Sequence, residues 1–334
     1  MTPPRPKPSA RRPRRPAEAT PPASGGGPIE LLPLAAGPAR HPAIGLGLWG
    51  LGRWTPEDEA RTKATIARAV ERGIRWFDTA EVYGAGRSER LLGDVLARAA
   101  GATPPFYVAT KVSWEHLRPA QIRAALVNSL ERLGRTSVDE YLIHAPDSRV
   151  PLAETMPALE ALWKEGRIGA LGVSNFGVEE LEEAERHLGE ARIVVNQVRY
   201  NLFDRDEAEP VREYCRRRGI LLEAYSPLAR GILAGRYLDG RPAAAEVRRR
   251  LVRLFDAERL PEVLDRARAL RALAAEAELP LAAVALHWLR GRGAAPVVGA
   301  SRPEQVDDLL AAWAAQPTAA VLDRADAIAR GDRA

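Results

Sequence analysis

Short apolar runs alternate with longer amphipathic stretches along most of this chain, starting at about residue 43. Short runs that are apolar throughout are typical of strands buried on both faces, and apolar positions at three- and four-residue spacing indicate helices. The predicted strands are Ile44–Leu48, Ile74–Asp78, Phe106–Thr110, Val138–Ile143, Ala170–Val173, Ile193–Asn196, Ile220–Ala224 and Ala295–Val298. The predicted helices are Pro56–Arg72, Ser88–Ala99, Pro119–Leu133, Ala153–Glu165, Val178–His187, Glu207–Arg218, Pro261–Ala277 and Pro303–Trp313.

The order of these elements predicts an α/β fold. Apolar strands that alternate with helices indicate a parallel sheet covered by helices. Eight such units in about 290 residues match a (β/α)8 TIM barrel. A doubly wound open sheet is the alternative, but the first strand lacks a G-x-G-x-x-G turn followed by an acidic residue about 20 positions later.

Polar side chains occur where several predicted strands end. Asp78 ends the second strand, Lys111 follows the third and His144 follows the fourth, with a spacing of 33 residues at each step. In a barrel these positions lie at the carboxyl-terminal mouth, where active sites of such barrels are found. Any one of them alone is most simply a helix cap or a surface charge, but three at one register favour a site.

The charge of the chain is concentrated at its amino terminus. The net charge is +5, and residues 1–28 account for all of it, with six basic residues against one acidic residue. Nine of these 28 residues are proline, so we expect a disordered basic tail, 1–28, followed by one barrel domain, 29–334. The tail could anchor the protein to an anionic surface, but a solvated extension is the favoured interpretation. The balanced body gives no reason to predict nucleic-acid binding.

Other counts exclude further classes of protein. The single cysteine, Cys215, permits no internal disulfide, and no apolar run approaches the roughly 20 residues of a membrane span. We therefore expect a cytoplasmic protein without membrane or nucleic-acid partners. The histidines other than His144 show no metal-ligand spacing, so chemistry without a metal is predicted. They are His41, His116, His187 and His287.

Motifs at the strand ends resemble those of the aldo-keto reductases, in the same order along the chain. The segment Ile74–Gly84 (IRWFDTAEVYG) is similar to the family signature after the second strand. The later motifs are Ala109-Thr-Lys111, Asp139–His144 (DEYLIH), Gly169–Phe176 (GALGVSNF), Tyr225–Leu228 (YSPL) and Gly299-Ala300. The resemblance covers roughly residues 40–315 and is strongest to the bacterial branch related to general stress proteins and potassium-channel β subunits.

The resemblance implies a catalytic group of four residues. Tyr83 would give a proton to a carbonyl oxygen, and Lys111 would lower the tyrosine pKa from its usual value near ~10. Asp78 would hold the lysine, and His144 would orient the substrate oxygen. The implied activity is the reduction of aldehydes and ketones to alcohols.

The resemblance also implies a nicotinamide cofactor. Tyr225 would stack on its ring, and Ser174, Asn175 and Gln197 would hydrogen-bond its carboxamide. The loop Ser226–Leu233 would cover the pyrophosphate. The residues of the cofactor site would thus include Ser226, Leu228 and Gly231 in this loop, and Gly299, Ser301, Arg302 and Gln305 after the last strand.

The adenosine end departs from the commoner family pattern. Gly299-Ala300 stands in place of a lysine–serine pair, Gln305 in place of an arginine and Leu309 in place of an asparagine. Arg302, together with Ser301, remains as the candidate for a 2′-phosphate, because guanidinium groups bind phosphate bidentately. We therefore expect NADPH, with NADH possible.

Three tryptophans near the mouth, Trp49, Trp54 and Trp114, predict an aromatic-walled pocket with no charged clamp, which favours substrates with a carbon body.

The alternative to a reductase is a cofactor-binding regulatory subunit that resembles the channel β subunits and has little or no turnover. A different reaction in the same barrel is a third possibility. The oligomeric state is left open.

Overall fold

The structure, a computed structural model, describes residues 31–33, 40–49, 55–99, 101, 105–240 and 253–332. Strands β1 (Leu31–Pro33) and β2 (Arg40–Pro42) pair antiparallel and precede the barrel. The predicted tail, residues 1–28, lies outside the described residues, and its disorder stays a prediction. So does the assignment of residues 29–334 to one domain.

Eight parallel strands form a closed barrel, which confirms the predicted (β/α)8 fold. Neighbours in the barrel follow the order of the chain, and the last strand closes on the first, with Val297 opposite Gly45. The barrel strands are β3 (Gly45–Gly47), β4 (Trp76–Asp78), β5 (Tyr107–Val112), β6 (Val138–Ile143), β7 (Ile168–Ser174), β8 (Ile193–Arg199), β9 (Leu221–Tyr225) and β10 (Ala294–Gly299).

The predicted helices form close to their expected bounds. They are α1 (Pro56–Glu71), α2 (Arg87–Arg98), α3 (Pro119–Leu133), α4 (Leu152–Lys164), α5 (Val178–Arg186), α6 (Glu209–Arg218), α7 (Leu260–Glu276) and α9 (Pro303–Ala314). Local chemistry fixes several ends: the Thr55 hydroxyl accepts from the backbone N–H of Asp58 at 3.2 Å to cap α1, and Gly134 ends α3 with φ 64°.

Among the described residues, two α-helices were not predicted, α8 (Leu281–Gly291) and α10 (Ala319–Arg330). Helix α8 is buried along most of its length, so its sequence has no polar face that would reveal a helical period. No helix in the described part of the chain is long and apolar enough to cross a membrane.

Packing inside the barrel depends on close approach of backbone and side chain. The ring of Trp76 lies against Gly45, where any Cβ would overlap it. Small side chains, including Ala109, Ala170 and Ala295, share this apolar interior. The interior is therefore filled around Trp76, and the polar groups lie above and beside it.

Candidate active site

The barrel brings together the four residues predicted to be catalytic, which we call the upper cluster: Asp78, Tyr83, Lys111 and His144. Asp78 ends β4, Lys111 lies near the end of β5, and His144 follows β6 directly. Tyr83 lies in the loop between β4 and α2, with its ring centroid 5.2 Å from the Lys111 ammonium. Residues separated by one or two strand–helix units thus meet at the carboxyl-terminal mouth.

Lys111 is fully buried and is held by two acceptors. Its ammonium donates to the Asp78 carboxylate and, at 2.9 Å, to the backbone oxygen of Thr79. Burial opposes the charge, but Asp78 and the nearby Tyr83 oxygen outweigh it and raise the pKa of Lys111 above its usual value. The ammonium therefore remains charged beside the Tyr83 ring.

Tyr83 departs from the expectation that its pKa would be lowered. Burial raises the pKa of Tyr83 to about 12, and the opposing effect of Lys111 offsets only part of this rise. The phenol is therefore protonated at neutral pH, which is the form that a proton donor needs.

His144 is held as a neutral imidazole. Burial and the nearby Lys111 charge lower the pKa of His144 to about 3. Its ring meets those of Tyr83 and Trp114 edge-on, with centroids 5.5 and 5.8 Å away, and its buried Nδ1 has no hydrogen-bond partner among the described residues. A neutral imidazole beside a phenol and an exposed tryptophan offers a hydrogen bond to a small polar ligand.

Three of the residues predicted to face the nicotinamide join His144. The Asn175 amide donates to the backbone oxygen of His144 and to Ser174 Oγ, both at 3.0 Å. The Tyr225 hydroxyl donates to Asn175 Oδ1 at 2.9 Å. Asn175 has φ 60°, a strained conformation for a residue other than glycine, as is common at functional sites.

Gln197 lies deeper than these three residues. It is buried in the barrel, and its amide nitrogen donates to Asp78 Oδ1 at 2.9 Å and to Glu223 Oε2 at 2.7 Å. Gln197 thus connects the upper cluster with an acidic residue that the sequence reasoning did not single out.

The predicted pyrophosphate loop, which contains Leu228, has an unusual backbone. Ser226, Ala229, Arg230 and Gly231 all have positive φ, from 48° at Ala229 to 99° at Gly231. Such conformations are costly outside glycine and persist where the surrounding structure holds them.

Two arginines that the sequence reasoning missed lie at this loop. The Arg230 guanidinium stacks on Trp49 at 4.2 Å from the ring centroid, and Arg199 lies 5.7 Å from the ring of Tyr225. The Nε atoms of both are buried without a hydrogen-bond partner in the part of the chain that the structure describes, and burial together with Arg199 lowers the pKa of Arg230. A desolvated cation of this kind is stabilised by an anionic ligand. The arrangement fits the phosphates of a dinucleotide, and it corrects the expectation that no cation lies beside the tryptophans.

The predicted adenosine-end residues share the connection from β10 to α9. Gly299 ends β10, with open space where a Cβ would lie, and the exposed Arg302 caps α9. The backbone N–H and the hydroxyl of Ser301 donate to Gln305 Oε1 at 2.7 and 3.0 Å. Gln305 therefore orders the turn, and Arg302 presents a guanidinium at a helix amino terminus.

The predicted pocket tryptophans divide into two groups. Trp49 and Trp114 are 43% and 40% exposed, which is unusual for large aromatic side chains and typical of a binding surface. Trp54 lies outside the described residues.

The structure also shows a second buried charged group, which we call the floor cluster: His41, Glu140 and Glu223. Glu140 lies on β6, before His144, and Glu223 lies on β9, before Tyr225. Both acids are therefore nearer the amino ends of the strands than His144 and Tyr225 are. Glu223 interrupts an apolar run, which is a signal in the sequence that could have revealed it, whereas Glu140 follows Asp139 and gives no such signal.

The family model described as aldo/keto reductase family matches residues 43–330. An uncharacterized oxidoreductase of Mycobacterium tuberculosis is 37% identical over 276 residues, which cover 80% of this chain and 83% of that protein. The NADH-specific methylglyoxal reductase of Escherichia coli is 29% identical over 313 residues, covering 85% and 93%. A crystal structure is known of an aldo/keto reductase from Klebsiella pneumoniae in complex with NADP and acetate, and its sequence is 28% identical to this chain. The two structures give a TM-score of 0.69, over 86% of this chain and 91% of that one.

Proposed function

The chain belongs to the aldo/keto reductase family and is an NAD(P)H-dependent oxidoreductase, and we propose that it reduces aldehydes and ketones to alcohols with Tyr83 as the general acid. A reduced nicotinamide, when bound, supplies the hydride for this reaction. The chain's own residues then have to hold the carbonyl oxygen and give it a proton. The single cysteine, Cys215, is buried and free, which agrees with our further proposal of a cytoplasmic enzyme.

One juxtaposition supports the proton transfer: a protonated phenol lies beside a buried ammonium and a neutral imidazole. His144 can donate a hydrogen bond to the carbonyl oxygen and keep it near the Tyr83 hydroxyl. As negative charge develops on that oxygen, Tyr83 gives its proton. The Lys111 ammonium stabilises the phenolate that remains, and Asp78 keeps the ammonium in place.

The buried arginines support the binding of a dinucleotide. Arg230 and Arg199 would compensate its phosphates, and Tyr225 with Asn175 would hold the nicotinamide. We propose a preference for NADPH, because Arg302 presents the only guanidinium among the residues predicted for the adenosine end. Similar proteins of both kinds exist, one named as NADH-specific and one crystallised with NADP.

The exposed tryptophans support the choice of substrate. Trp114 packs edge-on against His144, so a substrate oxygen near His144 would leave its carbon body against the indole. We therefore propose aldehydes and ketones with apolar bodies.

The test is loss of reduced-nicotinamide absorbance with a panel of aliphatic and aromatic aldehydes, with Tyr83→Phe as the matched variant. Phenylalanine keeps the ring and removes the proton, so we expect turnover to fall by about 10²–10⁴-fold while cofactor affinity is kept. Tight cofactor binding without turnover of any aldehyde would contradict the proposed reaction. Wild-type turnover in Tyr83→Phe would exclude Tyr83 as the acid.

A further inference from the structure

The floor cluster is a closed group of charged side chains inside the barrel. His41, Glu140 and Glu223 are all fully buried. The Nε2 atom of His41 lies 2.9 Å from Glu223 Oε1 and 3.5 Å from Glu140 Oε2, and the Tyr107 hydroxyl donates to Glu140 Oε2 at 2.9 Å. The β1–β2 hairpin thus places one imidazole between two carboxylates of the barrel.

His41 is the cation of this cluster. Its Nδ1 lies 2.7 Å from the backbone oxygen of Pro42, so both ring nitrogens face oxygen acceptors. Burial disfavours the charge, but the two carboxylates outweigh it and raise the pKa of His41 to about 9. The three side chains are also of types that bind metals. In this structure the three side chains pair with one another, with Nε2 of His41 against Glu223 Oε1.

Gln197 connects this cluster to the upper cluster. Its two amide N–H bonds point to Glu223 Oε2 and Asp78 Oδ1, at 2.7 and 2.9 Å. Both acid oxygens accept from the amide nitrogen, so the nitrogen end of Gln197 faces the two acids. The Gln197 carbonyl oxygen is the only part of the amide left to bind a ligand.

The carboxamide of a nicotinamide carries an N–H2 donor that matches this remaining oxygen. With Glu223 absent, one N–H of Gln197 would lose its acceptor, and the amide could rotate and present either end. We propose that Glu223 is a positioning residue, which acts through Gln197 to reserve its oxygen for the carboxamide, and that His41 from the hairpin holds Glu223 in place. This inference rests on the proposed use of a nicotinamide cofactor.

The test compares dissociation constants for the ordinary cofactor and for its 3-acetylpyridine analogue, whose acetyl group lacks the N–H2 donor. Wild-type protein is expected to bind the ordinary cofactor about two- to tenfold more tightly, as for one hydrogen bond. In Glu223→Leu this ratio is expected to fall to about one, because the Gln197 oxygen is no longer held in position to accept a hydrogen bond from the carboxamide. Glu223→Gln keeps the shape and a neutral acceptor, so its ratio is expected to lie between the two.

Glu140→Leu is the matched control. It removes the other carboxylate near His41 but leaves the hydrogen bond from Gln197 to Glu223 in place, so the ratio is expected to stay at the wild-type value. A wild-type ratio in Glu223→Leu, or in Glu223→Gln should the leucine variant fail to fold, would overturn the inference. So would an equal fall in Glu140→Leu, which would show a merely structural role. If the wild type binds the cofactor and reduces aldehydes but gives a ratio of one, the inference fails while the proposed function stands. Absence of any dinucleotide binding would overturn both.

Discussion

The upper cluster and the floor cluster are built from similar groups but differ in access. Each contains at least one buried carboxylate and a cation. The upper cluster includes a tyrosine, Tyr83, and the floor cluster has Tyr107 beside it. The upper cluster borders Trp114, which is 40% exposed, whereas every member of the floor cluster is fully buried. The difference teaches that burial and shifted pKa values are shared by both clusters and do not by themselves mark a catalytic group. Access to the exposed Trp114 side chain distinguishes the cluster that we propose to be catalytic.

The two clusters are nevertheless coupled by charge. Glu223 in the floor cluster contributes to the raised pKa of Lys111, and Asp78 in the upper cluster contributes to the raised pKa of Glu223. Gln197 is the physical link between them. Variants in either cluster therefore test how far the functions of the two can be separated.

The largest effect is expected from Lys111→Met in the upper cluster. Loss of the ammonium leaves Asp78 buried without its counter-charge and leaves Tyr83 without stabilisation of its phenolate. Turnover should fall by about 10³-fold or more, and the free energy of unfolding by about 3–5 kcal/mol. Steady-state kinetics and urea denaturation measure the two effects.

A double variant separates the loss of turnover from the loss of stability. Lys111→Met with Asp78→Asn removes the stranded charge, so stability should largely return while turnover remains low. Recovery of turnover in the double variant would contradict the role proposed for Lys111.

The next largest effect is expected from His41→Phe in the floor cluster. The ring is kept, but Glu140 and Glu223 lose the cation between them, so the free energy of unfolding should fall by about 3 kcal/mol. Turnover at saturating cofactor should change little, since no upper-cluster residue is altered. Denaturation curves should show a smaller loss for His287→Phe, because His287 makes one hydrogen bond, to the backbone oxygen of Trp313, and no ion pair with a described residue. Equal losses of the free energy of unfolding in His41→Phe and His287→Phe would show that the ion pairs of the floor cluster stabilise the protein no more than one hydrogen bond does.

A smaller effect should appear in the dependence of stability on pH, where His41 and His144 act with opposite signs. The pKa of His41 is raised from 6.5 to about 9, so its stabilisation is complete below 6.5 and is lost as pH rises through about 9. The raised pKa of Glu223, about 7, acts in the same direction between its usual value of 4.5 and 7. The pKa of His144 is lowered to about 3, so its neutral form costs stability as pH falls below 6.5.

The melting temperature should therefore fall between pH 6.5 and 9.5, and this fall should be weaker in His41→Phe. A fall of the same size in wild type and His41→Phe would contradict a charged His41.

The smallest effect tests the adenosine end, away from both clusters. Arg302→Ala should weaken NADPH binding by about tenfold, as expected for a charged hydrogen bond at an exposed site, and leave NADH binding unchanged. Fluorescence titration measures both constants. Arg324→Ala is the control, because Arg324 is exposed on α10 and pairs with Glu276. An unchanged preference in Arg302→Ala would remove Arg302 as the phosphate ligand.

The barrel and the upper cluster could be predicted because they depend on local patterns. Several apolar runs end with a polar residue at the same register, so one structural rule places Asp78, Lys111 and His144 together. Helix α8 was missed because it is apolar on all sides, and the β1–β2 hairpin because its strands have three residues each.

The floor cluster and Arg230 could not be predicted in the same way. His41 acquires its role only when it meets Glu140 and Glu223, which lie far away in the sequence, and no spacing rule connects the three. Nothing in the sequence distinguishes Arg230 from the many other arginines, because its position depends on the strained loop that stacks it on Trp49. The pKa of Tyr83 also depends on burial in three dimensions, and sequence reasoning gave the wrong direction for it.

The position of His41 has a consequence for how the chain is made. Its imidazole emerges from the ribosome ahead of every barrel strand, but one of its two carboxylates, Glu223, is on the seventh strand of the barrel. The hairpin therefore cannot reach its final ion pair until most of the chain has been synthesised, and contacts of such long sequence separation form slowly. The pair β1–β2 therefore docks only after the strand that carries Glu223 is in place, and it becomes fully ordered late although it is synthesised before every barrel strand.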